Sequence, residues 1–182
     1  ALYATIKAIV QNKVSQRIAY GTMALYSILW WHMGSAGQLT NSATLFAASL
    51  ILASFGLLFG WDRIRLRYGD LNLNQLGGLF LQMPRLALCM ALLVMAIVGL
   101  PPFSLFFGYM DMLLDDKISG PGVIVALFTW FSASWIFFKL MQRLLFGPNT
   151  SNLDGYDLNG NEITVFIVVI LAMLALSAIT HN

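Results

Sequence analysis

From Leu86 to Met110 the chain runs twenty-five residues without a charged side chain, and Gly99-Leu100-Pro101-Pro102 sits in its middle. A bilayer core of about 30 Å takes roughly twenty apolar residues to cross as helix, so the stretch is long enough to span. Proline inside it removes a backbone donor and clashes with the preceding turn, freeing carbonyls that hydrocarbon cannot satisfy. A break of this kind survives only where it is packed against protein or lines a polar cavity. In membrane transporters, discontinuous helices sit at the ion or substrate path.

Composition agrees with that environment. Of 182 residues 59% are hydrophobic and 10% charged, against about 25% charged in ordinary soluble domains. Further uncharged stretches cover Ile18 to Trp61, Ile118 to Phe138 and Ile163 to Asn182. The first is 44 residues long and is divided by the turn-rich segment Gly34 to Asn41. The expected fold is therefore an all-α integral membrane bundle of about five spans, near 18–33, 41–61, 85–114, 120–141 and 162–180, the third broken at Pro101-Pro102. Residues 1–17 form a separate N-terminal helical segment, too short to cross. It is read either as the end of a truncated or split helix, completed by a partner chain, or as an interfacial helix with Lys7 snorkelling to the headgroups.

If the spans alternate, Lys7, Lys13, Arg17, Arg63, Arg65, Arg67, Arg85, Lys139 and Arg143 share one side and Lys117 alone takes the other. That bias places the basic ends in the cytoplasm or mitochondrial matrix and the C-terminus outward. The net charge of +2 gives no ground for nucleic acid as a partner. The lone Cys89 allows no disulfide framework, and His32 and His181 are too isolated for a metal site. No cofactor is expected on this chain. Asp62 to Arg85 is expected as a mostly solvated loop, with Leu71 to Leu76 along the membrane surface. Gly147-Pro148-Asn149 is a helix stop, and Glu162 opens the last helix, where a carboxylate complements its dipole. Trp30, Trp31 and His32 read as an aromatic belt with a polar tip. Ser15, Ser49, Ser54, Ser104, Thr129, Ser132 and Ser134 are expected as interhelical contacts.

Four ordered pieces give the chain a resemblance to the antiporter-like membrane subunits of respiratory complex I, Mrp antiporters and membrane-bound hydrogenases. Gln11 with Ile18-Ala19-Tyr20 resembles the family's Q-x-D-I-K-R-L-x-A-Y-S helix start. Leu76-Gly77-Gly78-Leu79 with Met83-Pro84 resembles G-G-L-x-x-x-M-P. Gly99-Leu100-Pro101-Pro102-Phe103 with Phe107-Gly108 resembles G-x-P-P-x-x-G-F-x-G-K/E. Phe146-Gly147-Pro148 with Asp157-Leu158-Asn159 and Glu162 is similar to the last loop of subunit 4 of NADH dehydrogenase. The resemblance covers nearly all of this chain and the C-terminal part of a family member.

What the resemblance implies is ion translocation within a multi-subunit complex, with other membrane subunits, lipid and a chain carrying the missing N-terminal half as partners. Such subunits pass protons through a lysine or glutamate beside the break and through lysines and histidines on neighbouring helices. Here the helix-start lysine corresponds to Ser15, flanked by Lys13 and Arg17, and the residue after the break to Tyr109. Asp111, Tyr109, Lys7, Lys13 and Ser15 are the remaining ion-path candidates, with Gly99, Pro101 and Pro102 forming the broken helix. The implied function is a partial, proton-depleted subunit of a proton-translocating NADH:quinone oxidoreductase, with no redox site on this chain. Alternatives are a membrane subunit of a hydrogenase complex or of an ion-coupled bicarbonate or sodium/proton carrier, and a structural anchor for a cytoplasmic partner through Arg63, Arg65 and Arg67.

Overall fold

The computed structural model describes residues 1–69, 77–115, 120–147 and 156–179. Eight helices follow in order among them: α1 (Leu2–Val10), α2 (Val14–Ala36), α3 (Asn41–Tyr68), α4 (Leu79–Gln82), α5 (Pro84–Val98), α6 (Ser104–Leu113), α7 (Gly120–Phe146) and α8 (Gly160–Ile179). No strand occurs among the described residues. α3, α7 and α8 are long and apolar enough to cross a membrane, and α5 is a shorter apolar helix. The helix stop at Pro148-Asn149, the surface segment Leu71 to Leu76, and His181 lie outside the described residues.

Helix ends follow local chemistry. α1 stops at Val10, and Arg17 closes it: its Nε donates to the Ala8 carbonyl at 3.1 Å and its Nη2 to that of Ile9 at 2.9 Å. A guanidinium there satisfies carbonyls that the helix leaves orphaned and complements its dipole. α2 ends on Gly37 in the left-handed region, and Thr40 begins α3 by accepting the Ala43 N–H at 3.2 Å. α5 starts with Pro84 in its first turn, where the missing N–H costs nothing. Asp157 accepts the next two N–H groups, from Arg85 at 3.0 Å and Leu86 at 3.3 Å.

α3 is the central rod, packed on α2, α5, α6 and α8, while α7 packs on α1, α2 and α5. Its inward face carries Phe46, Ser49, Leu50, Ala53, Leu57 and Ile64, all fully buried. α7 shows the opposite face of such a bundle: Ile124, Phe128, Phe131, Trp135 and Phe138 are exposed at helical spacing of three and four. An apolar stripe of that size has a stable environment only in lipid or against another apolar chain.

Two expectations change. Asp62, Arg63, Arg65 and Arg67 are not in a loop: α3 continues to Tyr68 and stops at Gly69. At 1.5 Å per residue its 28 residues reach about 42 Å, so the helix outlasts the apolar stretch, and the arginines in its last turns favour continuation. His32 is no belt residue either. It is fully buried on the inner side of α2, while Trp30 is the exposed member of that run.

Candidate functional site at the broken helix

The break is built by capping rather than by disorder. Gly99 ends α5 with φ +78, a left-handed cap that favours glycine. Its N–H donates to the Ala96 carbonyl at 3.1 Å and that of Leu100 to Met95 at 3.2 Å. Pro101 and Pro102, joined by a cis peptide, donate nothing, and the Phe103 N–H turns back to the Leu100 carbonyl at 3.1 Å. α6 then starts at Ser104.

The carbonyl that the break exposes is that of Val98. Trp130 of α7 donates its indole Nε1–H to it at 2.9 Å, and Ser134 lies at 3.5 Å. Replacing Trp130 by phenylalanine keeps the ring and leaves that carbonyl short of its strong donor. We expect a loss of about 1–3 kcal/mol, read as a lower unfolding temperature in detergent; an unchanged temperature would mean that another donor takes over.

On the α3 side Ser49 and Ser104, both fully buried, lie 2.6 Å apart through their Oγ atoms. Ser49 also donates to the Leu45 carbonyl at 2.7 Å. A hydroxyl has one hydrogen, so Ser104 is the donor in the pair. One helix turn further along α6, Tyr109 is buried between Phe46, with ring centroids 6.1 Å apart, and Trp130, at 4.5 Å. Its hydroxyl has no hydrogen-bond partner among the described residues. The walls of the break are thus three serines, a phenol, an indole and one carbonyl.

The ion-path candidates are dispersed. Tyr109 is at the break. Asp111, two residues on, is exposed. Lys7 is half-buried on α1 with its Nζ 5.9 Å from the Tyr3 ring, Lys13 is the exposed cap of α2, and Ser15 is half-buried in its first turn. α1 packs on α2 and α7, whereas α6 packs on α3, α5 and α8, so the lysines and the break occupy different parts of the bundle. Of the seven hydroxyl residues expected between helices, Ser49, Ser104 and Ser134 bond across them; Ser54, Thr129 and Ser132 instead donate to carbonyls of their own helices. Among the described residues, the fully or nearly buried polar side chains are Thr5, Thr22, His32, Ser49, Ser104, Thr129 and Ser177. No Lys, Arg, Asp or Glu joins them. Nor does any group of three His, Cys, Asp or Glu gather among these residues as a metal site.

A second polar centre was hidden in the sequence. Glu162 at the start of α8 accepts from Arg67 at 2.7 Å, from Arg63 at 3.4 Å and from the Asn159 N–H at 3.0 Å. Arg63 also pairs with Asp62 at 2.9 Å and stacks on Phe59 at 4.9 Å. Of the three arginines only Arg65 is exposed.

An all-helical bundle with lipid-compatible faces and a capped, proline-broken helix against its central rod defines an integral membrane protein of the transporter-like class. Residues 1–136 match the family described as NADH:quinone oxidoreductase/Mrp antiporter, transmembrane. The chain belongs to that family. It is 31% identical to F(420)H(2) dehydrogenase subunit M of Methanosarcina mazei over 184 residues, covering 96% of this chain and 36% of the relative. The fold is that of a chain in respiratory complex I from Thermus thermophilus with bound NADH: TM-score 0.85, 23% identity, 97% of this chain and 38% of the other. The aureothin-bound complex I from the same organism gives 0.73 at 18% identity, over 97% and 40% of the two chains. The chain thus spans little more than a third of the relatives it matches.

Proposed function

We propose that the chain serves as a membrane-arm component of a complex I-like, proton-translocating assembly, contributing scaffold and a partial ion path whose charged carrier at the broken helix is lost. Its neighbours are other membrane subunits and lipid. Its basic helix ends face the cytoplasm or matrix, following the nine-to-one distribution of lysine and arginine. Redox cofactors belong to other chains of the assembly.

The observation that carries this reading is the lining of the break. Ser49, Ser104, Tyr109, Trp130 and Ser134 surround it, and none of them changes charge near neutral pH; a phenol has an ordinary pKa of about 10. Hydroxyls can hold water and relay a proton, but they do not store one. A frame that keeps the capped break without an ionisable centre fits a scaffold with a residual polar line. The anchoring alternative is less favoured, because Glu162 already engages Arg63 and Arg67.

Two measurements test it. The tagged subunit, isolated from its native membrane, should bring down membrane and redox subunits of a quinone-reducing type; isolation with a soluble partner alone overturns the reading. In vesicles containing the assembly, Asp111→Asn should leave ions pumped per electron unchanged, since Asp111 is exposed. A drop to half or less would restore Asp111 as a carrier and contradict the depleted path.

A further inference from the structure

His32 is the histidine among the described residues. It is fully buried, and neither ring nitrogen makes a hydrogen bond. An imidazole moved from water into an apolar interior without partners costs about 1–3 kcal/mol, and buried polar groups left this way are rare enough to require a reason. The reason lies beside it: Nε2 faces Asp115 Oδ2 at 3.5 Å, and Asp115, just past the end of α6, keeps about 20% of its side chain exposed.

Among the described residues, the helices around His32 carry few charged groups. The stretch Asn41 to Trp61 of α3 carries no titratable side chain, and neither does Gly120 to Phe138 of α7. α6 contributes Tyr109 and Asp111, and α2 itself Tyr26, with Tyr20 and Arg17 nearer its start; Lys139 and Arg143 belong to the far end of α7. Lys7 and Tyr3 belong to α1, at the opposite end of α2, and Arg63, Arg65 and Arg67 to the far end of α3. Asp116 and Lys117 follow Asp115 in the chain and lie outside the described residues. Asp115 is the acid set against the imidazole.

The geometry points to a proton-binding site formed by His32 and Asp115, at the end of the bundle opposite the Arg63–Arg67–Glu162 cluster. A proton from water reaches Asp115, the member with solvent access, and passes from Oδ2 to His32 Nε2. The carboxyl O–H bond breaks, the N–H bond forms, and a carboxylate is left beside an imidazolium; release runs the same step backwards, with no electron moved. In the charged pair the contact closes from 3.5 Å toward about 2.8 Å, the length of a charge-assisted bond. A buried ionisable group with a named partner inside a membrane bundle is the usual mark of such a site. The pair stands at one end of the ten-residue α6, whose other end carries Ser104 at the break. Proton occupancy is thus placed to act on α6, the helix that begins at the break. That use rests on the proposed role in ion translocation; the binding of the proton does not.

The test is the pH profile of thermal unfolding of the purified assembly, across the interval of about pH 5 to 8 in which histidine changes charge. Native protein, His32→Gln, Asp115→Asn and the double variant are compared. A native state that binds the proton more tightly than the unfolded chain is stabilised at the acid end and loses that stabilisation as pH rises. The native assembly should therefore stand several degrees above the variants at the acid end and converge on them at the alkaline end, with the double variant no worse than either single. A pH-independent offset, or the same profile in all four, overturns the proposal. If His32→Gln fails to assemble, Asp115→Asn decides alone, its side chain being partly in water. Pumping per electron in the same variants reports separately on transport: unchanged pumping with a lost pH profile keeps the proton site and removes its part in ion translocation.

Discussion

Gly108→Leu is expected to abolish stable accumulation of the subunit. A Cβ at position 108 would stand 2.9 Å from the Phe46 backbone nitrogen and 3.1 Å from its Cα. These are atoms of the central helix, which cannot rotate aside as a side chain would, so α6 itself must lift from α3. The Ser49–Ser104 contact at 2.6 Å opens with it, as does the tilted ring contact of Tyr109 with Phe46. Overpacking typically costs about 1–3 kcal/mol, and two stranded buried hydroxyls add about 1–3 kcal/mol each. Together these are a large share of the stability of a domain. Even Gly108→Ala should lower the unfolding temperature markedly. Gly56→Ala is the control: the atoms nearest its Cβ belong to the Leu93 side chain, which can change rotamer, so its loss should be smaller. Gly34→Ala, with nothing within 4 Å, should be neutral. Equal stability of the Gly108 and Gly56 alanine variants would show that α6 is not held against the α3 backbone in the way described.

The glycine matters because small residues, not hydrophobic burial, let helices approach in a membrane, and this part of the fold is only half legible in sequence. The discontinuity is legible: Gly99, Pro101 and Pro102 are local chemistry, and they stop α5 at Val98. The apolar class is legible because hydropathy sums over many residues. Helix ends are less so. Leaving the apolar stretch at Trp61 and ending the helix are separate events, and only the glycine at position 69 marks the second.

What stays hidden is partnership across distance. Ser49 and Ser104 are 55 residues apart, and Arg67 and Glu162 are 95 apart; no spacing rule says which hydroxyl meets which. The same holds for His32 and Asp115. Beside two tryptophans the histidine has the pattern of an interfacial belt, and only the rotation of α2 against its neighbours turns Trp30 outward and His32 in. The resemblance in Asp157-Leu158-Asn159 and Glu162 acquires physical content in the same way. Asp157 caps α5, and Glu162 binds the end of α3, so the segment before α8 ties three helices at one end of the bundle.

Glu162→Gln should therefore destabilise the subunit by about 2 kcal/mol or more. The carboxylate is 16% exposed, against 19% for Arg67 and 27% for Arg63, so the three charges are largely out of water. An amide of the same shape keeps one acceptor but no charge, and two guanidinium groups are left facing each other. Breaking a fully buried pair costs about 3–5 kcal/mol; the residual exposure of the arginines reduces that figure through solvent screening. The geometry also ranks the partners. Arg67 holds Glu162 at 2.7 Å, whereas Arg63 is at 3.4 Å and has Asp62 at 2.9 Å as a second partner. Arg67→Gln should accordingly cost more than Arg63→Gln, and combining Glu162→Gln with Arg67→Gln should cost less than the sum of the two, because each removes the same bond. Additive losses, or a larger loss at Arg63, would sink this account of the cluster. If they follow the predicted order, the tie between α3 and α8 is the charge pair itself, and α8 is held at this end chiefly by Glu162.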